Sequence, residues 1–341
     1  MVRRTLLLLA LVALVVGACG QTGASPAAST PAGEDDKTIF LGTGTTEAEP
    51  YLVPLLTIGR EILADQGITL EYIALSSDQA VQAALDRGRV DVALLSSLGL
   101  NRSGTAGLAG KFITGLQQHN SFILQIPGDI TDLSELRGKK IGIEDPTSLA
   151  VSVAEELLRE QGGLEPGTDY EMVSLSGSAN RAAALESGAL DAAVLFRHVG
   201  ERVENESNGR FKIYGGLWEI LDPMLWEGMA ASDSFRENTE LANAFAAALI
   251  ETNKRFYAGD PAELAAAKDD YPETSPLDVE RLTGDFELYQ EIKLFPEDGG
   301  VTEAAWKGIT DFLVKVGQLQ ESEVVPYADA IDASFVDAAG S

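Results

Sequence analysis

An internal duplication restricts the possible folds of this chain more than any other feature. Ser76 to Leu95 and Ser176 to Leu195 align without a gap. Ala83-Ala84-Leu85 matches Ala183-Ala184-Leu185, Gly88 matches Gly188 and Asp91 matches Asp191, all at an offset of 100. Each copy reads as a Ser-rich loop, an Ala-rich helix, a glycine where a left-handed helix end is needed, and a short apolar strand of the kind buried in parallel sheets. The match extends backwards. Lys37 to Leu41 and Lys139 to Ile143 are short strands, followed by the small-residue loops Gly42 to Thr46 and Glu144 to Ser148. Helices are predicted over Pro50 to Gln66 and Leu149 to Gln161, then second strands over Thr69 to Leu75 and Tyr170 to Leu175. Each half is therefore β-α-β-α-β, an α/β pattern that implies a parallel sheet. Common α/β grammar without duplication would give the same order. Either way, strand C-termini and helix N-termini of two such sheets meet at a shared cleft, where ligands bind.

The rest is mostly helical. Arg236 to Tyr257, Pro261 to Lys268, Leu277 to Tyr289 and Thr302 to Val316 carry apolar residues at helical spacing. Pro261 suits a helix start. These helices are expected to cover the first half rather than to form a third domain.

The N-terminus begins with Arg3 and Arg4, continues with the uncharged run Leu6 to Val16, and reaches Gly17-Ala18-Cys19. A positive start, an apolar core and small residues describe a secretory signal peptide, and the run is too short to span a bilayer. Val16-Gly17-Ala18-Cys19 resembles the bacterial lipobox. That resemblance implies cleavage after residue 18 and acylation of Cys19, the chain's only cysteine. Residues 19–36, rich in Ala, Ser, Thr, Pro and Gly, read as a flexible tether. With Cys19 acylated no disulfide is possible, so the fold must stand on its hydrophobic core. The formal net charge of −28 argues against nucleic acid and anionic lipid heads as partners.

The ordered set of motifs resembles the solute-binding proteins of ABC importers, in the branch with thiamine-precursor, sulfonate, nitrate and riboflavin binders. Asp132 to Ile143 resembles that family's lead-in to its second lobe, the two Ala-Leu-x-x-Gly-x-x-Asp segments resemble its repeated helix ends, and Trp306 to Phe335 its C-terminal helices. The resemblance implies a bilobal periplasmic-binding-protein fold, type II-like, with a helical C-terminal extension on lobe one. Lobe one would hold 37–124 plus 224–341, and lobe two 125–223. It further implies a monomer on the outer face of the cell membrane, handing a small molecule to a permease and its ATPase.

Loops after the strands supply the candidate ligand contacts: Thr43, Thr45 and Thr46; Ser76 and Ser77; Ser96 and Ser97; Thr147 and Ser148; Ser176 and Ser178. Any one hydroxyl could instead be a helix N-cap. Phe196 stands where the first copy has Ser96, and resembles the family's ligand-stacking aromatic; a plain core role is the alternative. Arg197 could hold an anionic head or pair with a surface carboxylate. His119, with Asn120 beside it, lies near the first crossing between lobes, and His198 lies beyond the Leu195 strand. The chain has only these two histidines. Trp226 and Glu227 fall in the second crossing, where the resemblance implies that the chain returns to lobe one and touches its ligand. One clear cation against several aromatics and hydroxyls favours a neutral or weakly charged aromatic heterocycle, such as a thiamine pyrimidine precursor or a flavin. A sulfonate- or nitrate-type anion binder, or an extracytoplasmic sensor of the same fold, is the alternative. No nucleophile elbow, phosphate-binding loop or Cys/His metal spacing occurs, so no enzyme, cofactor or metal is expected.

The anchor is directly testable. Cys19→Ser is expected to leave the membrane fraction or to retain its signal peptide. Membrane partitioning and maturation both unchanged in that variant would refute the lipoprotein reading.

Overall fold

The computed structural model describes residues 37–44, 49–107, 110–146, 148–274 and 276–340. The signal peptide, Cys19, the tether, Thr45, Thr46 and Thr147 lie outside the described residues. The chain from Lys37 onward is one compact unit. It runs β1 (Thr38–Thr43), α1 (Arg60–Ala64), β2 (Thr69–Ala74), α2 (Asp78–Asp86), β3 (Val92–Ser96), α3 (Ser97–Thr105) and β4 (Lys111–Gln117). It continues through β5 (Phe122–Pro127), β6 (Lys140–Ile143), α4 (Leu149–Gly162), β7 (Glu171–Ser174), α5 (Ser178–Glu186), β8 (Ala192–Phe196), α6 (Arg197–Glu206) and β9 (Phe211–Gly216). It returns in β10 (Glu227–Ala231), followed by α7 (Asp233–Glu237), α8 (Thr239–Ala258), α9 (Pro261–Ala266), α10 (Val279–Glu291), α11 (Glu303–Lys315), α12 (Tyr327–Ala330) and α13 (Ser334–Ala339).

Two five-stranded sheets result, in the orders β2-β1-β3-β10-β4 and β7-β6-β8-β5-β9. The three parallel strands expected of each copy are the first three in each order. Each sheet is mixed rather than purely parallel, because its fourth strand runs antiparallel to both neighbours. That strand is β10 in one sheet and β5 in the other, the two strands that follow the crossings between sheets. The boundary expected at 124/125 falls inside β5, whose residues from Phe122 onward pair with the second sheet.

The repeated residues do the same work in both sheets. Gly88 and Gly188 end their helices at φ of 62° and 79°, a region costly for a side chain. Asp91 Oδ2 accepts from the Phe40 N–H at 2.9 Å, and Asp191 Oδ2 accepts from the Lys140 N–H at 2.9 Å. The amide of each aspartate donates back to the same partner's carbonyl at 2.9 Å. Each aspartate thus clasps the third strand to the first just before the strands pair. Burial raises the Asp91 carboxyl pKa, and the Phe40 bond works against that shift.

The first helix departs from expectation. Pro50 to Gln66 is not one α-helix, because Leu55–Gly59 is π-helical before α1 begins. Pro54 and Gly59 bracket that segment, and a Cβ at Gly59 would lie 2.7 Å from the Leu55 side chain. Farther along, Asn238 interrupts the helix expected over Arg236 to Tyr257, its side chain capping the start of α8. The helical C-terminal extension packs on the first sheet as expected. Phe245, Phe256, Phe286 and Tyr289 join Ile39, Leu41 and Met229 in one buried cluster.

One buried side chain was not anticipated. Arg181, in α5, is 1% exposed. It donates to the Val194 and Leu175 carbonyls, both at 2.7 Å, and to Ser178 Oγ at 3.0 Å. Burial lowers its pKa, while the charge of Glu144 acts in the opposite direction. Its removal would strand those acceptors in the interior. Arg181→Met is therefore expected to lower stability by about 3 kcal/mol. An unchanged urea midpoint and slope would contradict this account.

Candidate functional site

The parallel strands of both sheets end toward one cavity of about 790 Å³. From the first sheet it is lined by Thr43 at the end of β1, Ser96 at the end of β3, and Gln117 and Glu227 at neighbouring strand ends. From the second it is lined by Phe122 and Phe196, the paired ends of β5 and β8, and by Glu144, Asp145 and Ser148 ahead of α4. Trp226, Asn120, Ser121, Glu49 and Tyr51 complete the central part.

Six of the residues expected from the sequence therefore meet here: Thr43, Ser96, Asn120, Ser148, Phe196 and Trp226. Several of them already have local partners. Thr43 Oγ1 shares a 2.8 Å hydrogen bond with the Tyr72 hydroxyl. Ser96 Oγ caps α3 by accepting from the Gly99 N–H at 3.0 Å. Asn120 Oδ1 accepts from the Phe122 N–H at 3.0 Å. Ser148 precedes α4 without a side-chain cap bond. Phe196 stacks on Phe122, ring centroids 4.4 Å apart and planes 22° apart.

The other described candidates do not line this cavity, for identifiable reasons. Ser77 Oγ caps α2, accepting from the Ala80 N–H at 3.2 Å, and Ser76 and Ser176 are exposed outside the lining. Ser97 is fully buried, and its hydroxyl donates to the Leu225 carbonyl, fastening the second crossing. Ser178 Oγ accepts from Arg181 and from the Phe196 N–H at 3.1 Å, so it holds Phe196 without lining the cavity. Arg197 is directed to Glu201 and Glu291 at 2.7 and 3.1 Å, the surface pairing weighed against an anion-binding role. His198 Nδ1 lies 2.9 Å from Asp285 Oδ1 on α10. His119 is half-buried, and burial lowers its imidazole pKa.

Glu49, Tyr51, Gln117, Ser121, Phe122, Glu144 and Asp145 line the cavity but were not singled out from the sequence. Phe122 carried a usable signal: Phe122 to Ile126 is a short, largely apolar run before a proline, which suits a strand, and pairing it beside Phe196 would have revealed the aromatic mouth. Glu227 adjoins Trp226 and accepts from Gln117 Nε2 at 3.0 Å. Among the described residues, no group of three or more His, Cys, Asp and Glu is arranged to hold a metal ion, and no helix is long and apolar enough to cross a membrane.

The model of the periplasmic substrate-binding proteins of phosphonate ABC transporters matches residues 57–267. No curated protein matches the chain. Among solved structures, the ligand-binding component of an ABC-type import system from Staphylococcus aureus, with zinc bound, is similar at 16% identity and a TM-score of 0.68, covering 88% of this chain and 98% of that one. A putative periplasmic sulfonate-binding protein from Methylobacillus flagellatus is similar at 18% identity and a TM-score of 0.67, covering 90% and 94%. The periplasmic nitrate-binding protein of Synechocystis is similar at 14% identity and a TM-score of 0.66, covering 89% and 88%. At such identities the likeness establishes the fold, and it is the periplasmic-binding-protein fold that the sequence implied. With the family model spanning more than half its length, the chain belongs to the phosphonate-type periplasmic substrate-binding proteins of ABC transporters, which bind small molecules for import.

Proposed function

We propose that this chain is a lipid-anchored substrate-binding protein, held by Cys19 at the outer face of the cell membrane. It captures one small organic molecule between two lobes and delivers it to a permease and its ATPase. Lobe one comprises the first sheet and the C-terminal helices, and lobe two the second sheet. The first crossing falls just before Phe122, because β5 pairs with the second sheet. The chain acts as a monomer, by binding and delivery and not by catalysis.

The observation that carries this reading is the cavity lined by strand ends of both sheets, with Ser96 and Glu227 from one and Phe122 and Phe196 from the other. Molecules of a few hundred Å³ fit such a volume. The stacked Phe122–Phe196 pair and Trp226 favour a ligand with a flat unsaturated ring over a bare inorganic anion. The expected ligand-binding groups are those that line the cavity, Thr43, Ser96, Asn120, Ser148, Phe196 and Trp226, together with Thr45, Thr46 and Thr147, which lie outside the described residues. The departure of Arg197 to Glu201 and Glu291 counts against a nitrate- or sulfonate-type site built around that cation.

Native mass spectrometry of gently purified protein is expected to find one co-purified small molecule. Phe196→Ala should reduce its retention by about tenfold, since stacking and burial are lost together. Equal retention by that variant, at unchanged melting temperature, would remove Phe196 from the site.

A further inference from the structure

We infer that His198 is a positioning residue that latches the two lobes together through Asp285, and so governs how long the cleft stays shut on its ligand. This latch presupposes the two-lobe capture proposed above and adds what holds the lobes closed. His198 joins the wall of the cavity to the opposite lobe. Phe122 and Phe196 line the cavity, their ring centroids 4.4 Å apart. The His198 ring also stacks on Phe196, at 5.9 Å with planes 14° apart. Its Nδ1 lies 2.9 Å from Asp285 Oδ1. A carboxylate only accepts, so the ring N–H donates.

The two partners stand on different sheets. α6, which carries His198, packs on the second sheet, where Val203 shares a buried cluster with Ile123 and Leu195. α10, which carries Asp285, packs with the first sheet, where Leu282, Phe286 and Tyr289 share a cluster with Ile39 and Met229. The bond therefore ties the aromatic wall of lobe two to the C-terminal helices of lobe one.

Burial distinguishes this contact from the others between the lobes. The Asp285 side chain is 5% exposed. Its Oδ2 has no hydrogen-bond partner, and Arg281 Nε, on the same helix, stands 3.8 Å away. Among the described residues, the one hydrogen bond to that buried carboxylate comes from the other lobe. The neighbouring Arg197–Glu291 pair spans the same gap at 3.1 Å, but Glu291 is 69% exposed and such pairs contribute little. On the other flank Lys315 of α11 pairs with Glu156 of α4. Glu156 is buried too, yet Arg159 of its own helix donates to it, so it keeps a hydrogen-bonded cation when the lobes part. Asp285 has no equal reserve. With His198 gone, closure would bury a carboxylate without its donor, a cost that opening relieves by admitting water. With the carboxylate gone as well, that cost disappears.

His198→Leu and the double variant His198→Leu/Asp285→Leu separate these effects in the full chain. Trp218 reports the state of the lobes, because it packs against the buried clusters of both sheets. In protein made with 5-fluorotryptophan, its fluorine resonance is assigned with Trp218→Phe. His198→Leu is expected to shift or split that resonance, and the double variant to restore it. The co-purified molecule, followed by native mass spectrometry after dilution, should leave His198→Leu about tenfold faster than wild type, and leave the double variant at near the wild-type rate. His198→Asn, whose amide nitrogen can take the place of Nδ1, should stay close to wild type in both measurements. His198→Ala replaces the leucine variant, alone and in the double, should circular dichroism show that one unfolded. An unchanged Trp218 resonance in the single variant would overturn the latch. So would a shift or a faster release that the double variant does not reverse, since loss of the ring stacked on Phe196 would then account for it. Either result would leave capture between lobes intact. Absence of any co-purified molecule from the wild type would count against the capture reading, and the fluorine spectra would still decide the latch.

Discussion

A buried guanidinium holds the mouth of the second sheet in shape. Taking a cation out of water costs several kcal/mol unless its donors are satisfied. Arg181 meets that cost with two backbone carbonyls, one within β8 and one just beyond β7, and the Ser178 hydroxyl. Ser178 in turn accepts from the Phe196 amide, so the aromatic wall of the cavity hangs on this cation through one hydroxyl. Among the described residues, the helices beside the first sheet carry no buried arginine. Val81, the counterpart of Arg181 at the offset of 100, is an ordinary buried hydrophobe. The duplicated halves share a skeleton and differ in how the ends of their strands are braced.

That shared skeleton was legible in the sequence because its signals are local. Buried parallel strands are continuous apolar runs, and a helix that must stop in a left-handed turn needs a glycine such as Gly88 or Gly188. The aspartates Asp91 and Asp191 were visible as repeated residues, although their clasp to the first strand was not. β4, β5, β9 and β10 were not assigned, because each finds its partners across a crossing and nothing near it in sequence announces the pairing. Arg181 was hidden inside an Ala-rich helix, where arginine ordinarily reaches solvent.

The site was legible in part, by the same logic. Thr43, Ser96, Ser148 and Phe196 follow from topology alone, since each sits where a strand or its following loop ends. Arg197 and His198 come one and two residues later, already in the first turn of α6. Their side chains reach Glu291 and Asp285 of α10 instead of the cavity. Where the C-terminal helices dock is a question of distant packing, and no pattern around residue 197 encodes it. The same docking recurs at α11, where Lys315 pairs with Glu156 at 2.5 Å and with Glu160 at 2.9 Å on α4. The C-terminal segment, which packs on the first sheet, thus also reaches helices of the second through ion pairs, one to the buried Glu156 and one to the exposed Glu160. An exposed pair such as Lys315–Glu160 contributes at most about 1 kcal/mol.

The substitution of Ser96 by Phe196 across the repeat has a consequence for how a guest sits. Two identical strand ends facing each other would form a nearly two-fold symmetric chamber, in which an elongated molecule could lie either way round with equal energy. A hydroxyl beside Glu227 on one side and two stacked rings on the other abolish that equivalence. Any guest between them would meet two chemically different walls, so its two ways of lying in the chamber would differ in energy.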